Sequence, residues 1–150
     1  ALGHAGRVRF TTRGLLNSPM KKPSVELDRL DHFALTVRDI EATCAFYEKV
    51  LGMARERFGE GRVALRFGSQ KIDINPNPND RQRKPAVPIP GTAEFCLLLA
   101  SPLDDFMAHL RHCGIDIEYG PAEATGASGT IRSVCFRDPD GNLVEVANYV

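Results

Sequence analysis

The sequence predicts an α+β fold built from two βαβββ modules. Three observations carry that reading. The order strand, helix, strand, strand, strand can be read twice along the chain, with a period of roughly 60 residues. Each helical stripe stops at a glycine, Gly52 in the first half and Gly114 in the second. A proline-rich stretch, "PNPNDRQRKPAVPIPG" at 76–91, separates the halves.

Residues 1–27 read as a tail outside the fold. Their first 25 residues hold Arg7, Arg9, Arg13, Lys21 and Lys22 and no acid, a composition shared by disordered tails and mitochondrial presequences. The fold proper is expected over 28–150, with modules at 28–75 and 92–150 and the linker at 76–91. In the first module, 30–37 is dense in apolar and β-branched residues and reads as a strand. Asp39 can cap a helix over 40–51, whose apolar positions Ile40, Cys44, Tyr47 and Leu51 recur at helical spacing. Strands follow at 53–58, 63–67 and 71–75, separated by Gly59–Gly61 and Gly68–Ser69 turns. In the second module, 94–99 reads as a strand, and Ser101-Pro102 opens a helix running to Cys113. Leu103, Phe106, Met107 and Leu110 form its apolar face. Strands are expected at 115–119, 131–136 and 143–149, with "RDPDGN" (137–142) a turn by composition.

The chain has 150 residues, and its 19 basic and 19 acidic residues cancel. With that balance, nothing global argues for a nucleic-acid or membrane partner. Cys44, Cys96, Cys113 and Cys135 are widely spaced and lack a C-x-x-C, so they read as reduced thiols of an intracellular protein, with cytoplasm and mitochondrion both open.

Aligning the halves sets His32 over Glu94 and Asp73 over Glu145. Each interrupts an apolar run on the first or last strand of its module. Side chains alternate across a strand, so these four oppose the large apolar residues beside them and point away from the helices. Carboxylates gathered there repel one another at a cost of several kcal/mol, which a divalent cation would remove. Imidazole and oxygen donors suit Zn, Ni, Mn or Fe(II). The bland alternative is a hydrogen-bonded pocket histidine, with Asp73 and Glu145 paired to Arg66 or Arg132.

"LDHFALTVRDIEATCAFYEKVLGM" (30–53), "FRDPDGNLVEV" (136–146) and the paired βαβββ order resemble the vicinal oxygen chelate superfamily of glyoxalases, bleomycin-resistance proteins and extradiol dioxygenases. Within it, "RVALRFGSQKIDI" (62–74) and residues 120–150 are most similar to the glyoxalase domain-containing protein 5 group. The resemblance implies a cupped eight-stranded mixed sheet with helices on the outer face. It also implies a divalent metal held by His32, Glu145, Glu94 and Asp73. Extradiol dioxygenases need a second histidine where Glu94 stands, which argues against ring cleavage. Thr36 stands where glyoxalase I tends to place a glutathione-binding arginine.

The expected function is a metal-dependent lyase or isomerase acting on a small oxygenated substrate, with Glu145 or Glu94 moving the proton. Thr36, Arg66, Asn75, Cys96 and Tyr149 are the candidate substrate-lining residues. The alternatives are a non-catalytic binding protein of the bleomycin-resistance kind and an extradiol-type dioxygenase. The superfamily closes its modules either within one chain or between two, so a homodimer is an open expectation.

Overall fold

The computed structural model describes residues 24–78 and 81–150. The tail expected at 1–27 lies outside these residues except for its last four. Ten elements follow in order: β1 (His32–Val37), α1 (Ile40–Leu51), β2 (Ala54–Phe58), β3 (Arg62–Phe67), β4 (Gln70–Pro76), β5 (Glu94–Leu98), α2 (Leu103–Cys113), β6 (Tyr119–Thr125), β7 (Thr130–Arg137) and β8 (Leu143–Tyr149).

The strands form two four-stranded sheets, ordered β1-β4-β3-β2 and β5-β8-β7-β6. The first and last strands of each module pair in parallel, and the remaining pairs are antiparallel. The same order twice is the internal repeat in three dimensions. Alternation decides which face meets the helices. Leu35, Val37, Ile72 and Ile74 are buried in one module and Val144 and Val146 in the other, and all join one core with Tyr47, Val50, Phe106 and Leu110 of the helices. α1 packs on β2, β3 and β4, α2 on β7 and β8, and the helices touch each other. Phe33 of β1 and Phe95 of β5 meet at 4.9 Å between ring centroids, bringing the two sheet edges together.

Asp39 caps α1 as expected, its Oδ1 accepting from the Ala42 N–H at 3.0 Å. Gly52 and Gly114 close their helices at φ of 65° and 73°, a conformation that a Cβ opposes. Ser101 does not cap α2. Pro102 holds the cap position, and Asn148 of β8 accepts from the Leu103 N–H at 2.7 Å. The cap therefore comes from a residue distant in sequence, which no local pattern reveals. The strand expected at 115–119 is also corrected. Ile115 and Ile117 pack against the core as extended chain, and β6 begins only at Tyr119. β6 is exposed throughout, so it lacks the apolar alternation that marks a strand in sequence.

One buried carboxylate joins the modules. Asp138, 6% exposed, accepts four hydrogen bonds. Its Oδ1 accepts from the Asp140 and Asn142 N–H groups, both at 2.9 Å. Its Oδ2 accepts from Asn142 Nδ2 at 2.8 Å and from the Tyr47 hydroxyl at 2.9 Å. Tyr47 belongs to α1 of the other module, and burial, then Asp138, push its phenol above its ordinary range. The same turn reaches further. Asp140 Oδ1 accepts from Arg38 N and Nη1, both at 3.1 Å, and Asn142 Oδ1 accepts from the Ala93 N–H at 2.9 Å. "RDPDGN" thus ties the β1–α1 loop, α1 and the start of β5 to one turn.

Among the described residues no helix is long and apolar enough to cross a membrane.

Tyr47→Phe removes one of the four donors to a buried carboxylate, and a loss of about 1–2 kcal/mol of unfolding free energy is expected. Asp138→Ala strands buried donors as well and should cost about 3 kcal/mol. Urea unfolding followed by circular dichroism reads both. Midpoints equal to the parent's would mean that the Asp138 cluster is solvated and does not join the modules.

Candidate functional site

The register of the two sheets builds matching rows of side chains on the faces turned from the helices. In the first sheet Asp73 stands between Ala34 of β1 and Ala64 of β3. In the second, Glu145 stands between Cys96 of β5 and Cys135 of β7. Each acid is thus flanked by two small side chains, which leave room above it. By the same register Arg66 corresponds to Arg137, and both hold a glutamate at 2.6 Å: Glu56 in the first module and Glu118 in the second. Those guanidiniums draw both carboxyls below their ordinary range.

The rows differ in their cations. Asp73 is 4% exposed and takes two, Arg62 Nη2 at 2.6 Å and Lys71 Nζ at 2.8 Å. Both cations also lie over the Phe58 ring, at 4.4 and 3.8 Å from its centroid, which fixes them above the carboxylate. In the second module Arg62 is replaced by Ser133 and Lys71 by Leu143. Among the described residues Glu145 therefore makes no ion pair; Arg137, on the same face, is held by Glu118. The neighbour of Glu145 is the Cys96 thiol, which donates to it. Burial first, and then the Glu145 charge and hydrogen bond, push Cys96 up to about 12. Cys135 is raised by burial, then by Glu145 and Glu94. Both thiols stay protonated at neutral pH, so this row offers oxygen donors and no thiolate.

His32 opens β1 on the face of Asp73, with its side chain 48% exposed. Its Nδ1 lies 2.6 Å from Asp31 Oδ1, which leaves Nε2 for another partner. The side chain of Glu94, the corresponding residue of β5, makes no hydrogen bond or ion pair among the described residues. His32 and Glu94 line one cleft of about 540 Å³ where the β1 and β5 edges meet, together with Cys96, Gln70 and Lys71. Among the described residues of a single chain, no three of the His, Cys, Asp and Glu side chains group tightly enough to hold a metal.

Asp73, expected as a metal ligand, is instead claimed by Arg62 and Lys71. The pairings offered for it and for Glu145 in the bland alternative are not the observed ones. Arg66 holds Glu56, and Arg132 reaches Asp104 at 2.9 Å. Among the candidate lining residues, Thr36 and Asn75 are register neighbours at the far end of the first face, with Asn75 Oδ1 accepting from Arg81 at 2.5 Å. Cys96 sits beside Glu145. Arg66 is engaged with Glu56, and the Tyr149 hydroxyl accepts from the Ser128 N–H at 3.1 Å near the end of the chain. Sequence reasoning missed Asp31, Arg62, Lys71 and Phe58. Strand alternation puts Lys71 on the face of Asp73, but the facing position of Arg62 and Phe58 follows only from the pairing of β2, β3 and β4.

The profile of the Glyoxalase/Bleomycin resistance protein/Dioxygenase superfamily matches residues 29–146. The Virulence protein STM3117 of Salmonella typhimurium is 44% identical over 124 residues, 83% of this chain and 86% of that protein. Its crystal structure superposes with a TM-score of 0.82 over 84% of this chain and 100% of that chain. The Glyoxalase domain-containing protein RDO1 of Mycosarcoma maydis is 42% identical over 120 residues, 80% of this chain and 68% of that protein. A crystal structure of lactoylglutathione lyase from Agrobacterium tumefaciens superposes with a TM-score of 0.64 at 25% identity, over 82% of this chain and 95% of that one.

At pH 8, Cys96 should react with iodoacetamide roughly two to three orders of magnitude more slowly than a peptide thiol, because its thiolate is scarce. Glu145→Gln removes one cause and leaves burial, and should speed the reaction about tenfold. Mass spectrometry of the Cys96 peptide follows both. A parent rate equal to the peptide's would place Cys96 beyond the influence of Glu145.

Proposed function

Because the chain belongs to the glyoxalase/bleomycin resistance protein/dioxygenase superfamily, we propose that it is a metal-dependent lyase or isomerase of a small oxygenated substrate. The metal would be held by His32, Glu94 and Glu145. One observation carries this reading. The repeat supplies two equivalent acids, and the fold gives Arg62 and Lys71 to Asp73, while Glu145 and Glu94 make no ion pair among the described residues. Two acids on one sheet face, neither in an ion pair among the described residues, favour a cation from outside. His32 adds a nitrogen donor whose second nitrogen is already oriented by Asp31, a pairing that suits an imidazole ligand. The donor set, one imidazole and two carboxylates, fits a divalent ion of the Zn, Ni, Mn or Fe(II) kind. Within the superfamily we place the chain beside the glyoxalase domain-containing protein 5 group, on the resemblance of 62–74 and 120–150.

A metal bound there would polarise a substrate oxygen and stabilise developing enolate charge. The chain's own residues do the rest. Glu94 or Glu145, through a carboxylate oxygen not committed to the metal, would take the proton from the substrate carbon and return it. Cys96, kept protonated, donates to Glu145 and holds that carboxylate in one orientation. Phe33 and Phe95 close the floor of the cleft against water.

A second reading is a non-catalytic binding protein, in which the polar side chains of the cleft serve as hydrogen-bonding walls; among the described residues of one chain no three donors group to hold a metal. Under the metal reading a second copy draws the donors together. The open face carrying Glu145 also leaves Leu98 58% and Tyr149 43% exposed, apolar surface that a homodimer would cover.

Purified protein soaked with Zn, Ni, Mn or Fe(II) and desalted should retain about one equivalent of metal per protomer, and His32→Ala below about a tenth, with the fold unchanged by circular dichroism. Asp31→Asn should weaken metal binding roughly tenfold or more. A parent protein that stays metal-free after soaking would overturn the metal reading and favour the binding one.

A further inference from the structure

The His32–Glu94 cleft does not end at those side chains. Phe67, Gln70, Cys96 and Leu97 line it and also line a second cavity of about 620 Å³, so the two adjoin along the seam between the modules. The second cavity is a slot between the β3–β4 turn and β5, with the end of α1 beside it. Gln70 stands at the junction, where its Nε2 donates to the Leu30 carbonyl at 2.6 Å. The two cavities differ in chemistry. Asp31, His32, Lys71 and Glu94 all line the first. None of the described lining residues of the second carries a charge. Its walls include Leu51, Met53, Phe67, Leu97, Leu99 and Val146. Leu51, Phe67, Leu97 and Leu99 are only partly buried, so the core stops short of closing over them.

We propose that this slot receives the apolar chain of a small amphiphile whose oxygenated head occupies the His32–Glu94 cleft. The place of the head rests on the lyase or isomerase reading of that cleft, whereas the seat of the chain stands on the slot itself. A chain leaving water for the slot gains roughly fourfold in affinity for each methylene buried. No charged group in the slot has to lose its hydration for the chain to enter. The charged side chains at the other end keep the head there and set the direction of the molecule. The volume falls within the range of about 300–1,000 Å³ common for small-ligand sites, which are mostly apolar with a few polar groups that orient the ligand. The segregation of charge along the seam is thus the shape of an amphiphile.

Calorimetric titration of the EDTA-treated full chain with octanol and with propanol tests this. The two share a neutral head and differ in chain length, so no metal is needed. Octanol should bind at one site per chain, roughly thirtyfold or more tighter than propanol. Leu97→Gln, which puts an amide in the slot, should weaken octanol about tenfold or more, and Leu97→Met should bind as the parent does. Ala100→Trp, at an exposed position in the slot's lining, should shorten the slot and reduce the preference for octanol over propanol about tenfold. Circular dichroism checks that each variant is folded. In proton NMR the His32 ring resonance, assigned by its loss in His32→Ala, should shift as octanol saturates. The proposal fails if octanol binds no tighter than propanol or at several sites per chain. It fails if the folded Leu97→Gln and Ala100→Trp variants both match the parent, or if the His32 resonance stays in place. It fails too if octanol does not bind and Leu97→Gln instead dissociates a dimer, which would make the slot a contact between copies. Metal retention by the same preparation is read separately. Octanol binding without metal retention sinks the metal reading alone, and retention without octanol binding sinks the slot alone.

Discussion

The Asp138 carboxylate gathers donors from its own turn and from Tyr47 of the other module, and the relation of the two sheets rests on it. A charge almost sealed from water is tolerated only when its lone pairs are filled. Here four donors fill them. The geometry that satisfies Asp138 is also the geometry that sets α1 against the β7–β8 turn. Arg38 and Ala93 add bonds to the same turn, so the entry to α1 and the start of β5 are held by one device. With those two points fixed, the edges of β1 and β5 lie side by side, and Phe33 can meet Phe95. The cleft shared by His32 and Glu94 is a consequence of that contact.

On the open faces the repeat has been used asymmetrically. Equivalent positions hold Ala34, Asp73 and Ala64 in one sheet and Cys96, Glu145 and Cys135 in the other. The backbone treats the two acids alike. Two neighbouring substitutions, Arg62 against Ser133 and Lys71 against Leu143, decide that one acid is neutralised internally and the other is not. The first face consequently gathers cations, from Lys71 through Arg62 to Arg81, while the second gathers carboxylates and protonated thiols. A duplicated fold thereby offers two faces whose acids differ in charge compensation.

Much of this was legible in the sequence. Alternation along "HFALTV" and "LVEV" separated His32 and Glu145 from the core residues beside them, because a strand's geometry leaves no third choice. Asp39, Gly52 and Gly114 announced helix ends through capping chemistry that is local by nature. β6 was not legible. Its residues are exposed and include Gly120 and Pro121, and it is a strand because β7 offers it a partner, not because its own side chains ask for one. The Asn148 cap on α2 was hidden for a similar reason, since donor and acceptor are 45 residues apart.

By itself the sequence determined the two βαβββ modules, the apolar faces that build the core, and the set of polar residues turned away from it. These follow from periodicities that each segment carries internally. Only the tertiary structure decided which of those polar residues already have partners. Asp73 looked like Glu145 along the chain, and the difference arises from side chains on neighbouring strands, Phe58, Arg62 and Lys71, arriving over one carboxylate. Charge compensation acts through space over a few ångströms, and sequence spacing does not fix which strands will be neighbours at that range.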